Sequence, residues 1–306
     1  MNFKLFLALI LGLNGFMAVN LWRLSPGLKV EALNIGQGDA LLITTAEEHH
    51  ILVDGGPDST VLTELGAALP PAFRELDLVV LTHPHLDHLA GLVPVLQRFE
   101  VKALLLGGSA YDSEAYDFFL QEVEAFDGAI YFAEATTDFR LGSSTIDVIY
   151  PFKKEVGQEF EEINNSSVVL RVEDGEGHSV LLTGDAEKEV EAELVQAWAE
   201  GRVDLDADVL KAGHHGSESS SIPEFLEAVD AEWMLISCGV DNSYGHPHSV
   251  TLDKAAALGM EVFRTDLEGR ISVVFETPGD GVWARFYSWT RSILAPSERS
   301  FSSSRS

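Results

Sequence analysis

Short apolar runs bounded by polar residues or glycine recur along the chain, and longer segments between them carry apolar residues at helical spacing. Short runs are typical of buried strands, whereas the longer segments are typical of helices that cover a sheet. The predicted strands are residues 29–33, 40–44, 51–53, 79–81, 146–150, 180–182, 233–238, 262–265 and 270–276. The predicted helices are residues 94–99, 112–125, 187–200, 222–229 and 249–258. This alternation favours a layered α/β fold with helices outside a core of facing sheets.

Both ends of the chain differ from this pattern. Residues 5–22 are mostly apolar after Lys4, and a run of about eighteen residues is just long enough to span a membrane. No small-residue cleavage motif follows, which predicts an uncleaved signal anchor over residues 1–23. A cleaved signal peptide, or an internal start within a longer membrane protein, is the alternative. The positive amino-terminal end favours the cytoplasmic side, so the remaining chain is predicted to be extracytoplasmic, either membrane-anchored or secreted. Residues 292–306, rich in serine with arginine, are predicted to form a disordered tail.

Composition limits both the fold and its partners. A chain of 306 residues with 46% hydrophobic residues can bury the core of one layered domain of about 250 residues. Its net charge of -29, with only 20 lysine and arginine residues, disfavours binding to polyanions through a basic surface. Bound dications can still create a local positive site on an acidic protein, so a nucleic-acid substrate stays open. The single cysteine, Cys238, cannot form an intrachain disulfide.

The densest group of metal-binding residue types follows the apolar run 76–81 and reads Thr82-His83-Pro84-His85-Leu86-Asp87-His88. Imidazole nitrogen and carboxylate oxygen suit zinc or manganese. His83 and His85 alternate to one side and are predicted to share one ion, while Asp87 and His88 are predicted to hold a second. A polar loop with incidental histidines is the alternative, but seven of the ten histidines fall in this segment, at 214–215 and at 246–248. The pattern therefore predicts a two-metal hydrolytic site.

Further motifs follow in a fixed order along the chain. They are Asn34-Ile35-Gly36-Gln37-Gly38-Asp39-Ala40, Leu52-Val53-Asp54-Gly55-Gly56, Asn165-Ser166-Ser167-Val168-Val169-Leu170, Leu182-Thr183-Gly184-Asp185, Leu210-Lys211-Ala212-Gly213-His214-His215-Gly216-Ser217 and Tyr244-Gly245-His246-Pro247-His248. Together with the histidine motif they resemble the soluble hydrolase domain of ComEC-type competence (DNA-uptake) proteins, over about residues 28–276. The resemblance implies the αββα sandwich of the metallo-β-lactamase fold.

The resemblance also implies ligands beyond the histidine motif. It implies that Asp185 bridges the two ions, although Asp185 could instead cap the helix that follows it. Many members of the wider fold carry a further histidine where this chain reads Asn164-Asn165-Ser166, so one ion is expected to have fewer protein ligands, with Asn165 or water in the gap. For the last ligand, the spacing within the ComEC-type subgroup that the chain resembles favours the pair at 214–215. His214 is assigned as the ligand and His215 as a catalytic group, but either member of the pair, or His246, remains a candidate.

Four other residues are predicted to support the site. Asp54 ends an apolar run before two glycines and is expected to hydrogen-bond a ligating histidine. Asp39 lies in a glycine-rich turn, where it either supports the site or stabilises a hairpin. Lys211 either stabilises charge that develops on the substrate or extends from a strand end to solvent. Tyr244 is expected to face the substrate, together with or in place of His246.

The sequence thus predicts a hydrolase that uses a metal-bound hydroxide, with two divalent ions, zinc or manganese, as cofactors. The predicted catalytic residues are Asp87, Asp185, His215 and His246. The resemblance implies a phosphodiesterase or nuclease whose substrate is a phosphodiester, DNA being one candidate, working beside a separate DNA-channel protein. The alternatives are a non-catalytic metal-binding or scaffold module on the same fold, and a hydrolase of other esters or lactones. β-Lactam and thioester hydrolysis are disfavoured by the missing histidine at 164–166.

Overall fold

The computed structural model describes residues 27–276, 282–289 and 297–303. Nine strands form one sheet, whose spatial order is β18 (Ser297–Ser303), β17 (Val282–Trp289), β16 (Arg270–Glu276), β1 (Lys29–Ala32), β2 (Leu41–Thr44), β3 (His50–Val53), β5 (Leu78–Leu81), β7 (Ala103–Leu106) and β8 (Ala129–Phe132). Strands β3, β5, β7 and β8 run parallel to one another, and the remaining neighbours pair antiparallel.

The second sheet has seven strands, in the order β15 (Glu261–Arg264), β14 (Trp233–Ile236), β13 (Val209–Lys211), β12 (Ser179–Leu182), β11 (Val169–Glu173), β10 (Ser144–Tyr150) and β9 (Asp138–Leu141). Strands β12 to β15 are parallel, whereas β9 to β12 pair antiparallel. A small parallel pair is formed by β4 (Glu75–Leu76) and β6 (Glu100–Val101).

Helices cover the outer faces of both sheets. They are α1 (Thr60–Ala68), α2 (Leu86–Leu89), α3 (Leu92–Leu96), α4 (Glu114–Glu124), α5 (Lys188–Ala199), α6 (Pro223–Val229), α7 (Ser249–Ala257) and α8 (Thr265–Glu268), with 3-10 turns at Ile163–Ser166 and Gly213–Gly216. Local chemistry sets several boundaries. The Ser113 side chain accepts a hydrogen bond from the Tyr116 backbone nitrogen and caps α4, and Pro223 begins α6 with its fixed φ.

Three apolar layers hold the sandwich together. The central layer lies between the sheets and includes Val30, Val80 and Leu182. One outer layer packs α1 to α4 on the nine-stranded sheet, and the other packs α5 to α7 on the seven-stranded sheet. Strands β3 and β5 are buried along their whole length because both of their faces are covered. The predicted αββα sandwich of the metallo-β-lactamase fold is confirmed.

The observed elements correct the sequence prediction in detail. The helix predicted at 94–99 begins two residues earlier, so that its proline lies in the first turn, where a missing backbone donor is tolerated. The strand predicted at 233–238 ends at Ile236, and Cys238 instead hydrogen-bonds the Thr265 side chain. Helix α1 and strand β7 were not predicted. Helix α1 carries few apolar positions, of which Val61 and Leu65 are buried.

The chain ends require separate comment. Residues 297–303 form a strand that pairs with β17, whereas the sequence predicted a disordered tail over 292–306. A serine-rich segment can form this strand because the hydrogen bonds between strands join backbone groups and do not require apolar side chains. The signal anchor predicted over residues 1–23 lies outside the described residues. In the described part of the chain, no helix combines the length and apolar character needed to cross a membrane.

The topology collects the predicted site residues at one edge of the molecule. Asp54 follows β3 and the histidine motif follows β5, two parallel neighbours in the first sheet. Asp185 follows β12 and the pair at 214–215 follows β13, two parallel neighbours in the second sheet. The carboxyl ends of parallel strands meet at a common edge, which is where α/β folds place their ligands.

Candidate metal centre

Four buried side chains converge where the two sheets meet. One ligand atom from each of Asp39, His88, Asp185 and His215 lies within 4.8 Å of the others. The Oδ2 atom of Asp185 is 3.2 Å from Nε2 of His88 and 3.3 Å from Nε2 of His215. Nε2 of His215 is also 3.3 Å from Oδ2 of Asp87. Two ligand atoms bound to one zinc ion lie roughly 3 to 3.5 Å apart, so these atoms have the spacing of a shared metal.

Unsatisfied polar atoms support the same interpretation. Nε2 of His88, Nε2 of His215 and Oδ1 of Asp185 are buried and make no hydrogen bond within the described residues. Buried polar atoms without a partner are rare in folded proteins. A divalent cation would satisfy all three at once, and imidazole nitrogen with carboxylate oxygen is the donor set of zinc and manganese. The residues present therefore fit a metal ion.

A second group of potential ligands lies beside the first. Nε2 of His83 is 3.1 Å from Nδ1 of His85 and 3.8 Å from Oδ2 of Asp185. The ring centroids of His83 and His88 are 4.2 Å apart. The same carboxylate oxygen of Asp185 thus faces both groups, which is the geometry expected of a bridging ligand. The helix-cap alternative is not supported, because Glu187 occupies the N-cap of α5.

Asp54 holds the histidine motif in place. Its Oδ1 accepts a hydrogen bond from the backbone nitrogen of Thr82, and its Oδ2 accepts one from the Thr82 hydroxyl. Oδ2 also lies 2.7 Å from Nδ1 of His88. This contact makes Nδ1 the hydrogen-bond donor and leaves Nε2 of His88 for a metal. The structure thus shows the expected hydrogen bond between Asp54 and a histidine of the motif.

Asp39 contacts Nδ1 of His215, and Lys211 in turn pairs with Asp39. The Lys211 ammonium is fully buried and lies 2.6 Å from Oδ2 of Asp39, and it also donates to the carbonyl oxygen of Ala212. Oδ1 of Asp39 is 3.2 Å from Nδ1 of His215, which also donates to the carbonyl oxygen of Ser237. Asp39 is therefore engaged by a cation and orients His215 rather than serving as a free ligand. Lys211 stabilises that pair and is not among the residues that line the cleft.

The pair at 214–215 has the opposite arrangement to the one predicted. His214 has φ 45° and His215 has φ 54°, so two successive residues adopt left-handed backbone conformations. Nδ1 of His214 is 2.9 Å from Oε1 of Glu187. His215, not His214, belongs to the group around Asp185, so the geometry favours His215 as the ligand over the predicted His214.

Asn165 does not fill the ligand gap. Its Oδ1 accepts a hydrogen bond from the backbone nitrogen of Glu187, and its Nδ2 donates to Oε2 of Glu189. These contacts engage the amide at the amino-terminal end of α5, where backbone donors need acceptors. The expectation that Asn165 replaces the missing histidine is therefore not supported, which leaves water as the remaining candidate from the sequence.

The pKa values of the side chains in the cluster bear on cation binding. Burial and the neighbouring His88 hold the pKa of His83 well below its usual range, which keeps its ring neutral and able to donate a lone pair. Although burial opposes ionisation, His215 and His88 hold the pKa of Asp185 well below its usual range. Burial, followed by the nearby histidines, lowers the pKa of His246 to about 4. At neutral pH the rings of His83 and His246 are therefore neutral. Although burial opposes it, the carboxylates of Asp185 and Asp54 raise the pKa of His88, and those of Asp185 and Asp39 raise the pKa of His215, well above the usual range. A cation that binds these two rings would displace a proton from each of them.

The metal group opens into a cleft of about 270 Å³, lined by Gln37, His85, Leu86, Asp87, Tyr111, Asp185, His214, His215, Tyr244 and His246. His246 is buried, and its ring centroid lies 5.2 Å from that of His214. Tyr244 is exposed and stacks on His246 at 5.7 Å. The predicted placement of both residues at the substrate side is consistent with this cleft.

Sequence reasoning missed three residues at the cleft. Glu187 binds His214, and its only signal in the sequence is its position two residues after Asp185. Gln37 lies inside a glycine-rich motif that was interpreted as a turn. Tyr111 lies in a stretch with no recognised motif, and only the fold brings its ring to within 5.5 Å of the His85 ring.

Comparison with known proteins agrees with this site. The sequence model of the metallo-beta-lactamase superfamily matches residues 33–239. ComE operon protein 3 of Bacillus subtilis is 30% identical over 265 residues, covering 81% of this chain and 33% of that protein. Competence protein ComA of Neisseria gonorrhoeae is 31% identical over 243 residues, covering 79% of this chain and 31% of that protein. The chain thus spans about a third of the length of these two relatives.

A solved structure gives the same fold. The metallo-beta-lactamase fold protein YhfI from Bacillus subtilis has a TM-score of 0.50 and 18% sequence identity, covering 78% of this chain and 96% of that chain. The competence relatives confirm the resemblance drawn from the motifs, and the superfamily model spans both the histidine motif and the pair at 214–215. The chain therefore belongs to the metallo-beta-lactamase superfamily.

Proposed function

We propose that this chain is a metal-dependent phosphodiester hydrolase with two divalent ions in the cluster around Asp185. The observation that carries the proposal is the position of Oδ2 of Asp185, which lies 3.8 Å from Nε2 of His83 and 3.2 Å and 3.3 Å from Nε2 of His88 and of His215. One carboxylate shared between two ligand groups is the arrangement of a two-metal hydrolytic site.

The chemistry divides between the ions and the chain. Bound divalent ions supply Lewis acidity, which polarises a phosphoryl oxygen and makes water a better nucleophile near neutral pH. The chain supplies the frame: Asp54 fixes His88, and Asp39 with Lys211 fixes His215. Because these supports are buried charged groups at hydrogen-bond distance, the donor nitrogens keep their direction when a substrate enters.

Two histidines are placed to act on the substrate itself. His214 and His246 both line the cleft, and Glu187 engages Nδ1 of His214, so its Nε2 remains for the cleft. A hydrogen bond from such a ring to the departing oxygen would stabilise the charge that develops as the ester bond breaks. These roles take the place of the charge stabilisation on the substrate that was one of two alternatives for Lys211.

The relatives support nucleic acid as the source of the phosphodiester. Two of them are named for competence and for recombination, namely Competence protein ComA and Recombination protein 2 of Haemophilus influenzae. Since this chain spans about a third of such relatives, a separate DNA-channel protein as its partner is part of the proposal. A scaffold role, and hydrolysis of other esters or lactones, are the outcomes that would replace it.

The test is a substrate panel with the purified full chain loaded with Mn²⁺ or Zn²⁺. The panel contains thymidine 5′-(4-nitrophenyl phosphate), a chromogenic cephalosporin, a thioester and a lactone. We expect turnover of the phosphodiester, and we expect Asp185→Asn to lower it by about a hundredfold or more with the fold intact. Asp127→Asn, at an exposed loop residue, is the matched control. Turnover of the lactone or cephalosporin alone would contradict the phosphodiesterase proposal and favour another hydrolase activity. Metal binding without any turnover would contradict it and favour a scaffold role.

We also propose that residues 5–22 anchor the hydrolase to a membrane with its site outside the cytoplasm. The support is the length of the apolar segment and the positive end that precedes it. The expressed chain should then remain in the membrane fraction after carbonate washing and keep its amino-terminal peptide in mass spectrometry. A soluble mature form that begins near residue 20 would instead indicate a cleaved signal peptide.

A further inference from the structure

Two exposed tyrosines border the cleft beside different ligand groups. Tyr111 is 36% exposed and packs edge-on against His85, which belongs to the second group of potential ligands. Tyr244 is 64% exposed and stacks on His246, whose ring lies 6.1 Å from that of His215 in the first group. Both tyrosines line the cleft. Each therefore presents an aromatic surface next to the position where a scissile phosphodiester would lie.

Both tyrosines are attached to fixed backbone. The Asn242 side chain donates to the carbonyl oxygens of Gly239 and His246 and accepts from the backbone nitrogen of His246, which closes the loop that carries Tyr244. Residue 110, directly before Tyr111, donates its backbone nitrogen to the carbonyl of Gln158, and the capped helix α4 begins shortly after. Aromatic side chains on such a frame lose little freedom on contact with a ligand.

The charges around the cleft exclude the usual means of holding a polynucleotide. Among the described residues that line the cleft there is no lysine or arginine. A groove of about 740 Å³ continues from the cleft, sharing His85 and Tyr111 with it, and its wall carries the carboxylates of Asp112, Asp117, Glu159, Glu161 and Glu162. Phosphates that lie in the cleft or in this groove thus meet no lysine or arginine among the lining residues, and a second strand along the groove would be repelled.

We infer, on the basis of the proposed function, that Tyr111 and Tyr244 stack unpaired nucleobases on either side of the scissile phosphodiester, which makes single-stranded nucleic acid the substrate class. Stacking needs no basic surface, because every base has an aromatic face. A paired duplex cannot supply it, since its bases are already stacked on one another. The specificity of the site then resides in base exposure, and the metal cluster performs the same hydrolysis on any diester that reaches it.

The test compares three substrates of the metal-loaded full chain: a single-stranded oligonucleotide, the same oligonucleotide with abasic positions flanking one linkage, and the same strand in a duplex. We expect the single strand to exceed both others in kcat/KM by about tenfold or more. Tyr111→Ala and Tyr244→Ala should each reduce this preference by about tenfold, mainly through KM. The Phe variants should retain it, because a phenyl ring stacks as a phenol does.

Tyr131→Ala is the matched control, since Tyr131 is 42% exposed and is not among the residues that line the cleft. Binding is followed separately by the quenching of 2-aminopurine placed beside a non-hydrolysable linkage, which should weaken in the Ala variants. The inference is overturned if the wild-type chain cleaves the abasic strand or the duplex as fast as the single strand, or if the Ala variants keep the full preference. Absence of hydrolysis on every diester would refute the proposed function, whereas 2-aminopurine quenching would still decide the role of the tyrosines.

Discussion

At the scale of single residues, the backbone between β13 and α6 decides which histidine of the pair joins the group around Asp185. Two successive left-handed residues turn the rings of His214 and His215 apart, with centroids 6.0 Å from each other at an interplanar angle of 65°. His215 then faces Asp185, and His214 faces Glu187. Left-handed conformations of non-glycine residues cost energy and are found where function requires them.

This arrangement predicts different defects for the two histidines. His215→Ala removes a buried ligand and should weaken binding of the second ion by about a hundredfold or more. His214→Ala should keep the metal content of the wild-type chain and lower kcat by about a hundredfold, because only the contact to substrate is lost. Elemental analysis combined with phosphodiester kinetics measures both effects. His49→Ala is the matched control, and loss of an ion from His214→Ala would return the ligand role to His214.

At the scale of elements, the turn between β1 and β2 holds the histidine motif by close backbone contact. Gly38 has φ 127°, and a Cβ on it would collide with the carbonyl oxygen of Asp87. The neighbouring backbone nitrogen of Asp39 donates to that same carbonyl at 3.1 Å. The turn can therefore support the start of α2 only with glycine at position 38.

Gly38→Ala is expected to displace Asp87 and weaken metal binding, as well as to lower the free energy of unfolding by roughly 1 to 3 kcal/mol. Gly36→Ala is the matched control, because Gly36 has a similar positive φ of 83° but has no atom within 4 Å of the added carbon. Metal affinity measured by competition with a chelator separates the two variants. Equal metal affinity in both variants would show that close contact at position 38 is not required.

Helix α5 contributes a buried carboxylate that titrates near neutrality. Burial raises the pKa of Glu191 to about 7, against hydrogen bonds from the backbone nitrogens of Ile222 and Ser221. A raised carboxyl pKa means that the folded state holds the proton more tightly than the unfolded state. The associated stability is fully present below the ordinary pKa of 4.5 and is lost as the pH rises to about 7.

Glu191→Gln should therefore flatten the dependence of stability on pH. Between pH 5 and 8 the wild-type chain should lose roughly 1 to 3 kcal/mol more unfolding free energy than the variant. Denaturant unfolding of both proteins at pH 5 and at pH 8 measures this difference. A hydrogen bond that the variant loses equally at both pH values does not change the difference. Parallel pH profiles for the two proteins would contradict the assignment.

The elements also show how far the sequence could predict the site. The histidine motif, Asp54 and Asp185 follow recognisable strands, so periodicity and residue type located them and the fold brings them together. The sequence could not predict which of His214 and His215 faces Asp185, because the two residues are adjacent and lie at nearly the same distance in sequence from the other motifs. The directions of their side chains depend on the backbone dihedral angles. Tyr111 likewise depends on tertiary contact between two distant loops.

At the scale of the whole molecule, an acidic protein surrounds a site built for cations. A net charge of -29 attracts divalent ions and repels polyanions at long range. Beside the cleft, the buried carboxylate of Asp185 and the imidazoles of His88 and His215 are the side chains that could hold such ions. Association with a nucleic acid must then depend on short-range contacts rather than on a basic surface.

The central claim is that two ions held around Asp185 perform phosphodiester hydrolysis. Its most direct test is a titration of metal-free full chain with Mn²⁺ or Zn²⁺ while hydrolysis of thymidine 5′-(4-nitrophenyl phosphate) is recorded. The account predicts a rate that rises to a plateau at about two equivalents of metal per chain, and no comparable rise for Asp185→Asn. A chain that binds its metal but hydrolyses no phosphodiester, or that is fully active without added metal, would contradict it.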